Sequence, residues 1–305
     1  MALQNTLTTI LSIFLLLLVG YGAKKFRVLG VNDAGVVNSI VVYLTMPALI
    51  FLSVHSKPIT MAVVKAPFLA FVVEIVVMGA AYAVARLLKL DRRTTGSLIL
   101  VSAFGNTGFL GYPMVSAAFG HDNRAMLTAV MIDEFAMSLV LNSLGVAIAA
   151  TFAGSRFEWK SMLELLRSPL FIATIIALLL RNTHMPDLVM FTMGFLAAAT
   201  VPLAMISVGI SLSTRSAKQY PAALFAAITL KMLLLPAITF FVLPFVGITG
   251  TVAKVIMLEM AVPAAVISGV IASEYDANGA FAAGAIALGT LVSVLWIPAV
   301  LMFVH

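Results

Sequence analysis

A cluster of glycines beside a proline, inside an apolar run, is the first feature that could do chemistry. Residues 105–113 read GNTGFLGYP, with three glycines and one proline. Proline removes a backbone donor and glycine tolerates non-helical angles, so this run predicts a helix that unwinds. In a bilayer, the freed N–H and C=O groups must be bonded within the protein or line a watery cavity. The alternative is a helix that is only kinked at Pro113 and closely packed through its glycines.

If the helix is broken, its freed backbone groups can bind ions. The N–H groups at the start of the second half would attract an anion, and carbonyls at the end of the first half could hold a cation. The side chains of Asn106 and Thr107 add donors and acceptors. The predicted substrate-binding residues here are Asn106, Thr107, Gly108, Gly111 and Pro113.

A second interrupted run occurs late in the chain. Residues 259–269 read EMAVPAAVISG, an apolar stretch that contains an acid, a proline and small residues. A second break at the matching place would complete a transport site, so Pro263 and Ser268 join the predicted substrate-binding residues. Close helix packing without a ligand is again the alternative.

Five charged residues lie well inside apolar runs, away from the ends of the runs, where each one costs free energy and needs a physical reason. Lys231 could bind a substrate carboxylate, or it could neutralise carbonyl ends where two broken helices cross. Glu74 could form a buried ion pair with Lys231, contact another polar group, or carry a proton. Asp133 and Glu134 are adjacent and therefore point about 100° apart on a helix. Glu259 could help to hold a cation.

These acids predict ion coupling. Two nearby carboxylates can share and release a proton, and Asp133 with Glu134 resembles the paired acids of sodium/proton antiporters. The predicted ion-coupling residues are Asp133, Glu134, Glu259 and Glu74, with a proton as the first choice of ion and sodium as the second. Alternatively, one acid of the adjacent pair faces a vestibule near a loop.

The elements that must position these residues are membrane helices. Hydrophobic residues make up 62% of the 305-residue chain and charged residues only 10%, far from the composition of a soluble domain. About ten apolar runs are long enough to span a bilayer. These predicted segments one to ten are Leu7–Ala23, Val36–Val54, Val63–Leu88, Gly96–Phe119, Ala125–Ala153, Met162–Leu180, Leu188–Leu212, Pro221–Val246, Val252–Ala272 and Ala280–Val304. The predicted fold is an all-α membrane protein.

Loop charge predicts the orientation. Lys and Arg are concentrated in alternate loops, which places those loops in the cytoplasm and both termini outside the cell (inner) membrane. This distribution accounts for the pI of about 9.7, so nucleic-acid binding is not expected. The chain has no cysteine, which excludes disulfides, thiolate metal sites and cysteine nucleophiles. No catalytic, metal or cofactor motif occurs.

The two halves of the chain share features in the same order. Pro47 lies late in segment two and Pro202 late in segment seven, while Glu74 and Lys231 fall at similar places in segments three and eight. Because five helices is an odd number, the second half must enter from the opposite face, which makes an inverted repeat. The predicted boundaries are 1–153 and 162–305 for the repeats and 154–161 for a cytoplasmic connecting loop. A chance coincidence of prolines is the alternative.

Three stretches resemble the auxin efflux carrier family. They are GNTGFLGYP in segment four, LKMLLLP in segment eight, and VPAAVI followed by ASEYDAN around segment nine. The resemblance implies a fold like that of bile acid transporters, with two five-helix inverted repeats and broken helices four and nine crossing at mid-membrane. It also implies a permease for malonate, malate or similar organic acids. Relatives often carry Asn where this chain has Ile267.

The sequence therefore predicts a secondary active transporter of a small organic anion, a mono- or dicarboxylate, that works by alternating access with proton coupling. A sodium-coupled carrier or a cation/proton antiporter using Asp133 and Glu134 stays open. An intramembrane enzyme lacks a catalytic constellation, and a receptor or scaffold would not need two broken helices. The expected partners are the anion, a proton or sodium ion, membrane lipid and a second copy of the chain in a homodimer.

Overall fold

The computed structural model describes residues 2–30, 32–55, 57–120, 122–155, 163, 166–212 and 220–304. Over these residues the chain is all-helical and contains no named β-strand. The helices are numbered here as α1 Ala2–Lys25, α2 Asp33–Val54, α3 Met61–Leu87, α4 Arg92–Ala103, α5 Tyr112–Phe119, α6 Arg124–Ala153, α7 Pro169–Leu179, α8 Asp187–Ser211, α9 Pro221–Val246, α10 Gly250–Ala261, α11 Val266–Glu274 and α12 Gly279–Val304.

Seven helices of the described chain are long and apolar enough to cross a membrane, namely α1, α2, α3, α6, α8, α9 and α12. The prediction of a helical membrane protein is confirmed. Predicted segments four and nine are each split into two helices, α4 with α5 and α10 with α11. Predicted segment six is seen as the shorter apolar helix α7. Its residues 162, 164 and 165, and residues 156–161 of the predicted connecting loop, lie outside the described residues.

Prolines explain where several of the long helices change their pitch. A proline clashes with the carbonyl four residues earlier, and that clash is relieved when the preceding turn widens. Wide, π-type turns end two residues before Pro47, Pro113 and Pro236; they span Val41–Thr45, Thr107–Gly111 and Leu230–Leu234. Two further turns of this type, Asp133–Ser138 and Leu141–Gly145, lie within α6. Such turns change the direction of side chains and often occur at functional sites.

The α1 and α8 helices touch through their backbones. A Cβ atom added at Gly20 of α1 would overlap the backbone of α8, and one added at Gly209 of α8 would overlap the backbone of α1. Small residues allow this close approach in membranes, where dispersion contacts hold helices together. Nearby, the Ser207 hydroxyl donates a hydrogen bond to the Asn38 side chain of α2 at 2.5 Å. These contacts bring α1, α2 and α8 together.

The outer surface of the bundle is unusually apolar, and several charged side chains lie inside it. Large apolar side chains cover the outside, and Phe245 and Leu295 are 90% and 80% exposed. Charged side chains such as Lys231 and Glu259 are instead buried inside the bundle. A lipid solvent accounts for both observations, because apolar surface is stable in lipid and charge is not.

Candidate functional site

Segments four and nine break at the place where they meet. The two breaks pair in antiparallel fashion at Gly105 and Ala264. The Asn106 N–H donates to the Pro263 carbonyl at 2.8 Å. The Ala265 N–H donates to the Phe104 carbonyl at 3.0 Å. We call residues 104–106 with 262–265 the crossing point. All of these residues are buried.

The local sequence explains why the two helices stop here. Pro263 has no N–H to continue α10, and the residue before a proline favours an extended backbone. Val262 accordingly has φ −64° and ψ 151°. On the other side Phe104 is extended, with ψ 126°, and leads into Gly105. The backbone groups freed on each strand are satisfied partly by the other strand, as a buried backbone requires.

Lys231 on α9 caps the first half of segment nine. Its ammonium group donates to the Met260 carbonyl at 2.9 Å, next to the C-terminus of α10. A cation is favourable at this negative end of a helix. Within the described residues, the ion pair closer than 4 Å is that of Arg124 with Asp122, so Lys231 forms no such pair with Glu74. The observed contact matches the role of a neutraliser of carbonyl ends.

Asp133 on α6 lies beside the start of the second half of segment four. Its carboxylate accepts hydrogen bonds from the Thr107 hydroxyl and, at 2.8 Å, from the Tyr112 hydroxyl. A Cβ atom at Gly108 would lie 3.2 Å from the same carboxylate. The N-terminus of a helix attracts negative charge. Asp133 therefore lies where the sequence predicted that a substrate anion would bind.

Other buried polar groups have no hydrogen-bond partner in the described structure. They include both carboxylate oxygens of Glu259, both of Glu134, one of Glu74, and the Ser268 hydroxyl. Glu259 reaches across the crossing point, since a Cβ atom at Gly111 would overlap its carboxylate. Unpaired buried carboxylates are costly when ionised, so these groups are candidates for binding a proton or a cation.

Reciprocal hydrogen bonds tie the far ends of the two broken segments. The Thr251 hydroxyl, at the start of α10, donates to Asp122, in the connection after α5, at 2.6 Å. The Asn278 side chain, in the connection after α11, donates to the Thr94 hydroxyl, at the start of α4, at 2.8 Å. Segments four and nine are therefore joined at three levels, which are the crossing point and the bond at each end of the two segments.

A cavity of about 680 Å³ lies between the end of α8, α11 and α12. Its lining is mostly apolar, and its polar residues are Ser211, Ser273, Glu274 and Thr290. It reaches Val266, the first residue of α11, whose start has no side-chain cap. The first N–H groups of a helix have no acceptor within that helix. This cavity therefore leads to a helix start that no side chain caps.

The structure brings most of the predicted site residues together. Those at the crossing point or in the half-helices beside it are Asn106, Thr107, Gly108, Gly111, Pro113, Pro263, Ser268 and Glu259. Lys231 of α9 and Asp133 of α6 bond to these half-helices from the side. For Glu74 and Glu134, the described structure shows no hydrogen bond to the crossing point. Sequence reasoning missed two groups, the Tyr112 hydroxyl and the Met260 carbonyl. Tyr112 could have been found, because a tyrosine inside a glycine-rich break needs a partner when buried.

Comparison with known proteins agrees with this architecture. A profile of the membrane transport protein family (Mem_trans) matches residues 5–301. An uncharacterized transporter of Methanocaldococcus jannaschii is 31% identical over 94% of each chain, and one of Methanothermobacter thermautotrophicus is 28% identical over 98% of each. A candidate malonate transporter of Rhizobium meliloti is 24% identical over 97% of this chain and 95% of its own. The chain thus belongs to the Mem_trans family of membrane transport proteins, the auxin efflux carrier family that its interrupted segments resemble, and is a multi-pass membrane transporter rather than an enzyme.

Proposed function

We propose that the protein is a secondary active carrier for small organic anions, mono- or dicarboxylates such as malonate or malate, that works by alternating access. The observation that carries this proposal is the crossing point, where two interrupted helices pair through their backbones deep in the bundle. In carriers, discontinuous helices of this kind form the substrate and ion sites near the middle of the membrane. A receptor or scaffold has no need of such breaks.

The proposed architecture has ten membrane segments in two inverted five-helix repeats, residues 1–153 and 162–305, with 154–161 as a cytoplasmic connecting loop. The reciprocal bonds Thr251–Asp122 and Asn278–Thr94 support it, because each joins the start of one broken segment to the end of the other. The two breaks pair with the same reciprocity. Segments four, five and nine would move against a scaffold of segments one, two, six and seven, in the cell (inner) membrane with both termini outside.

In this proposal, the two half-helix starts have different roles, with the coupling ion beside the start of α5 and the substrate beside the start of α11. The Asp133 carboxylate, which accepts hydrogen bonds from the Thr107 and Tyr112 hydroxyls, already places a negative charge beside the start of the second half of segment four. The start of α11 has no side-chain cap and adjoins the 680 Å³ cavity. We assign the substrate anion to the α11 side, where Ser268 lies in the first turn of α11 and Lys231 of α9 bonds to the Met260 carbonyl on the other side of the break.

A proton is the proposed coupling ion. Glu74, Asp133, Glu134 and Glu259 are buried and Lys231 is the one buried ammonium of the described bundle, so four ionised carboxylates could not be balanced. No three acidic or histidine side chains of the described residues converge as a cage for a metal ion. Proton binding to a single carboxylate needs no cage, and this favours Glu259 or the Asp133–Glu134 pair as the carrier group.

Uptake by proteoliposomes tests the proposal. Labelled malonate, malate and lactate should enter vesicles that contain the protein, and an inward-directed proton gradient should accelerate the uptake. The Asn106→Ala variant should lose transport without loss of folded protein, because its side chain is buried at the crossing point. Gly79→Ala is the matched control, since a Cβ atom at Gly79 meets nothing within 4 Å. Unchanged transport by Asn106→Ala would remove the crossing point from the mechanism.

The second candidate is a cation/proton antiporter, favoured by the unpartnered carboxylates of Glu134 and Glu259. It requires no organic anion. A sodium-dependent change of internal pH in anion-free vesicles would support the antiporter, and its absence together with malonate uptake would support the anion carrier.

A further inference from the structure

Four carboxyl groups are buried in the described bundle, those of Glu74, Asp133, Glu134 and Glu259. A carboxyl group that carries a coupling proton must be stable both with and without that proton. Burial without a partner favours the neutral form of a carboxyl group, while hydrogen-bond donors or a nearby cation favour the ionised form. The surroundings of each group therefore indicate which of the two forms it can adopt.

The surroundings of Asp133 favour the ionised form. The Thr107 and Tyr112 hydroxyls both donate hydrogen bonds to its carboxylate, the second at 2.8 Å. Hydrogen bonds to an ionised acceptor are stronger than those to a neutral one. Protonation of Asp133 would weaken both bonds, so we expect this residue to keep its charge.

The surroundings of Glu134 favour the neutral form. Neither of its carboxyl oxygens has a hydrogen-bond partner among the described residues. Its charged neighbour is the preceding residue, Asp133, whose carboxylate repels a second negative charge. Glu134 can therefore hold a proton, but no described cation is placed to stabilise the charge that would remain after its release.

Glu259 has surroundings for both forms. Its side chain is fully buried, and neither oxygen has a hydrogen-bond partner in the described structure, which favours the neutral form. Lys231 bonds to the carbonyl of the next residue, Met260, at 2.9 Å, and it interacts electrostatically with Glu259. That bond uses one of the three donors of the ammonium group. Lys231 can therefore stabilise Glu259 when the proton leaves.

Glu259 and Lys231 also lie against the other broken segment. A Cβ atom at Gly111 would overlap the Glu259 carboxylate, and one at Gly105 would lie 3.1 Å from Lys231 Nζ. Glu74 on α3 also interacts electrostatically with Lys231, but no hydrogen bond of the described residues connects it to either broken segment. A change of charge at Glu259 therefore acts on the contact between segments four and nine.

The other titratable groups around Glu259 include no second cation. Its helix α10 packs against α3, α5, α6, α9 and α12. The buried titratable side chains on these helices are Glu74 on α3, Tyr112 on α5, Asp133 and Glu134 on α6, and Lys231 on α9, while the described length of α12 carries none. Asp133 and Tyr112 interact electrostatically with Glu259. Lys231 is thus the cation that can balance an ionised Glu259.

We propose that Glu259 binds and releases the coupling proton, with Lys231 as the counter-charge of its ionised form. The proton adds to a carboxylate oxygen of Glu259 on one side of the membrane and leaves it on the other, and no other bond is made or broken. In the arrangement of the structure, Glu259 is neutral and Asp133 is ionised. This inference rests on the proposed function, in which a proton drives transport, and it selects one of the two carrier groups considered there.

Gradient-driven accumulation of labelled malonate in proteoliposomes, divided by the counterflow of the same variant, tests the inference. The division cancels losses of active protein. An inward-directed gradient of about one pH unit drives accumulation by up to about tenfold for each coupled proton in the parent. The Glu259→Gln variant, whose side chain resembles the protonated acid, should show no response to the gradient. Glu134→Gln and Glu74→Gln make the same change at other buried acids and should keep the response.

Infrared spectroscopy gives a second readout that needs no transport, because a protonated carboxyl group and a carboxylate absorb at different frequencies. Near neutral pH the purified parent should show protonated-carboxyl absorption that is partly lost in Glu259→Gln and unchanged in Asp133→Asn. In the parent, the part assigned to Glu259 should disappear reversibly as the pH is raised. Thermal unfolding shows whether each variant is folded.

Gradient-driven accumulation by Glu259→Gln would overturn the inference, and so would a spectrum in which this variant loses no protonated-carboxyl absorption. If Glu259→Gln has no counterflow, the infrared spectra decide. Counterflow by the parent without any response to the gradient would remove proton coupling and this inference with it. Failure of the carrier proposal gives a different result, namely no counterflow of malonate, malate or lactate by the folded parent, and the infrared titration then decides whether Glu259 binds and releases a proton.

Discussion

At the scale of single residues, the contact between Gly111 and Glu259 decides how closely the two broken segments can approach. Glu259 is buried without a partner for either carboxylate oxygen, and only a hydrogen atom on Gly111 leaves room for it. A carboxylate that is buried without a partner is costly when it is ionised. The absence of a side chain at Gly111 therefore allows the two segments to pack together with the Glu259 carboxylate buried between them.

Replacing Gly111 with Ala should separate this pair. The added methyl group would overlap the Glu259 carboxylate, which we expect to cost about 1–3 kcal/mol of stability and most of the transport activity. Thermal unfolding in detergent and malonate uptake measure the two effects. Gly79→Ala, with open space around its Cβ position, should change neither quantity. Equal behaviour of the two variants would refute the assigned contact.

Asp122, outside the membrane segments, gives a prediction for pH. Partial burial acts to raise its pKa, but hydrogen bonds from Thr251 and Arg124 outweigh burial and hold the pKa of Asp122 below its usual value. A carboxyl group whose pKa is lower in the folded protein stabilises the fold above the unfolded-state pKa of about 4, and this contribution is lost as the pH falls through the folded-state pKa.

The variant Asp122→Asn should therefore be less stable than the parent at pH 7, by about 1 kcal/mol or less because the group is partly exposed. The gap in melting temperature should shrink as the pH is lowered below about 4. Melting curves over a series of pH values measure it. A gap of the same size at pH 7 and pH 3 would show that Asp122 does not stabilise the fold through its charge.

At the scale of elements, the close crossing of α1 and α8 forms the core of the proposed scaffold. Gly209→Ala would drive a methyl group into the backbone of α1, so the helices must move apart and lose contacts along their length. We expect a loss of about 1–3 kcal/mol in stability, measured by thermal unfolding. Gly194→Ala lies on the same helix with open space at its Cβ position and should be neutral. If both variants melt together, the backbone contact is not what joins the helices.

Elements also show what could be predicted from sequence and what could not. The breaks near Gly105 and Pro263 were predictable, because glycine and proline act through local backbone geometry. The π-type turn at Leu230–Leu234 was not predicted, although Pro236 follows it, since a proline in a membrane helix can be relieved in several ways. The pairing of Asp133 with Tyr112 depends on how two segments pack, which no local pattern reveals.

At the scale of the whole molecule, cavities approach the broken segments from two sides. The larger, of about 680 Å³, reaches the start of α11, and the smaller, of about 200 Å³, reaches α5. The crossing point, with its two backbone hydrogen bonds, lies between these half-helices. Alternating access would then consist of moving segments four and nine, joined at three levels, between the two cavities.

Counterflow of labelled malonate in proteoliposomes tests this account most directly, because exchange needs a binding site that opens to each side in turn but needs no ion gradient. Vesicles preloaded with unlabelled malonate should accumulate the label transiently, and the Asn106→Ala variant should not. The absence of counterflow for malonate, malate and lactate alike, from protein that is folded, would contradict the account.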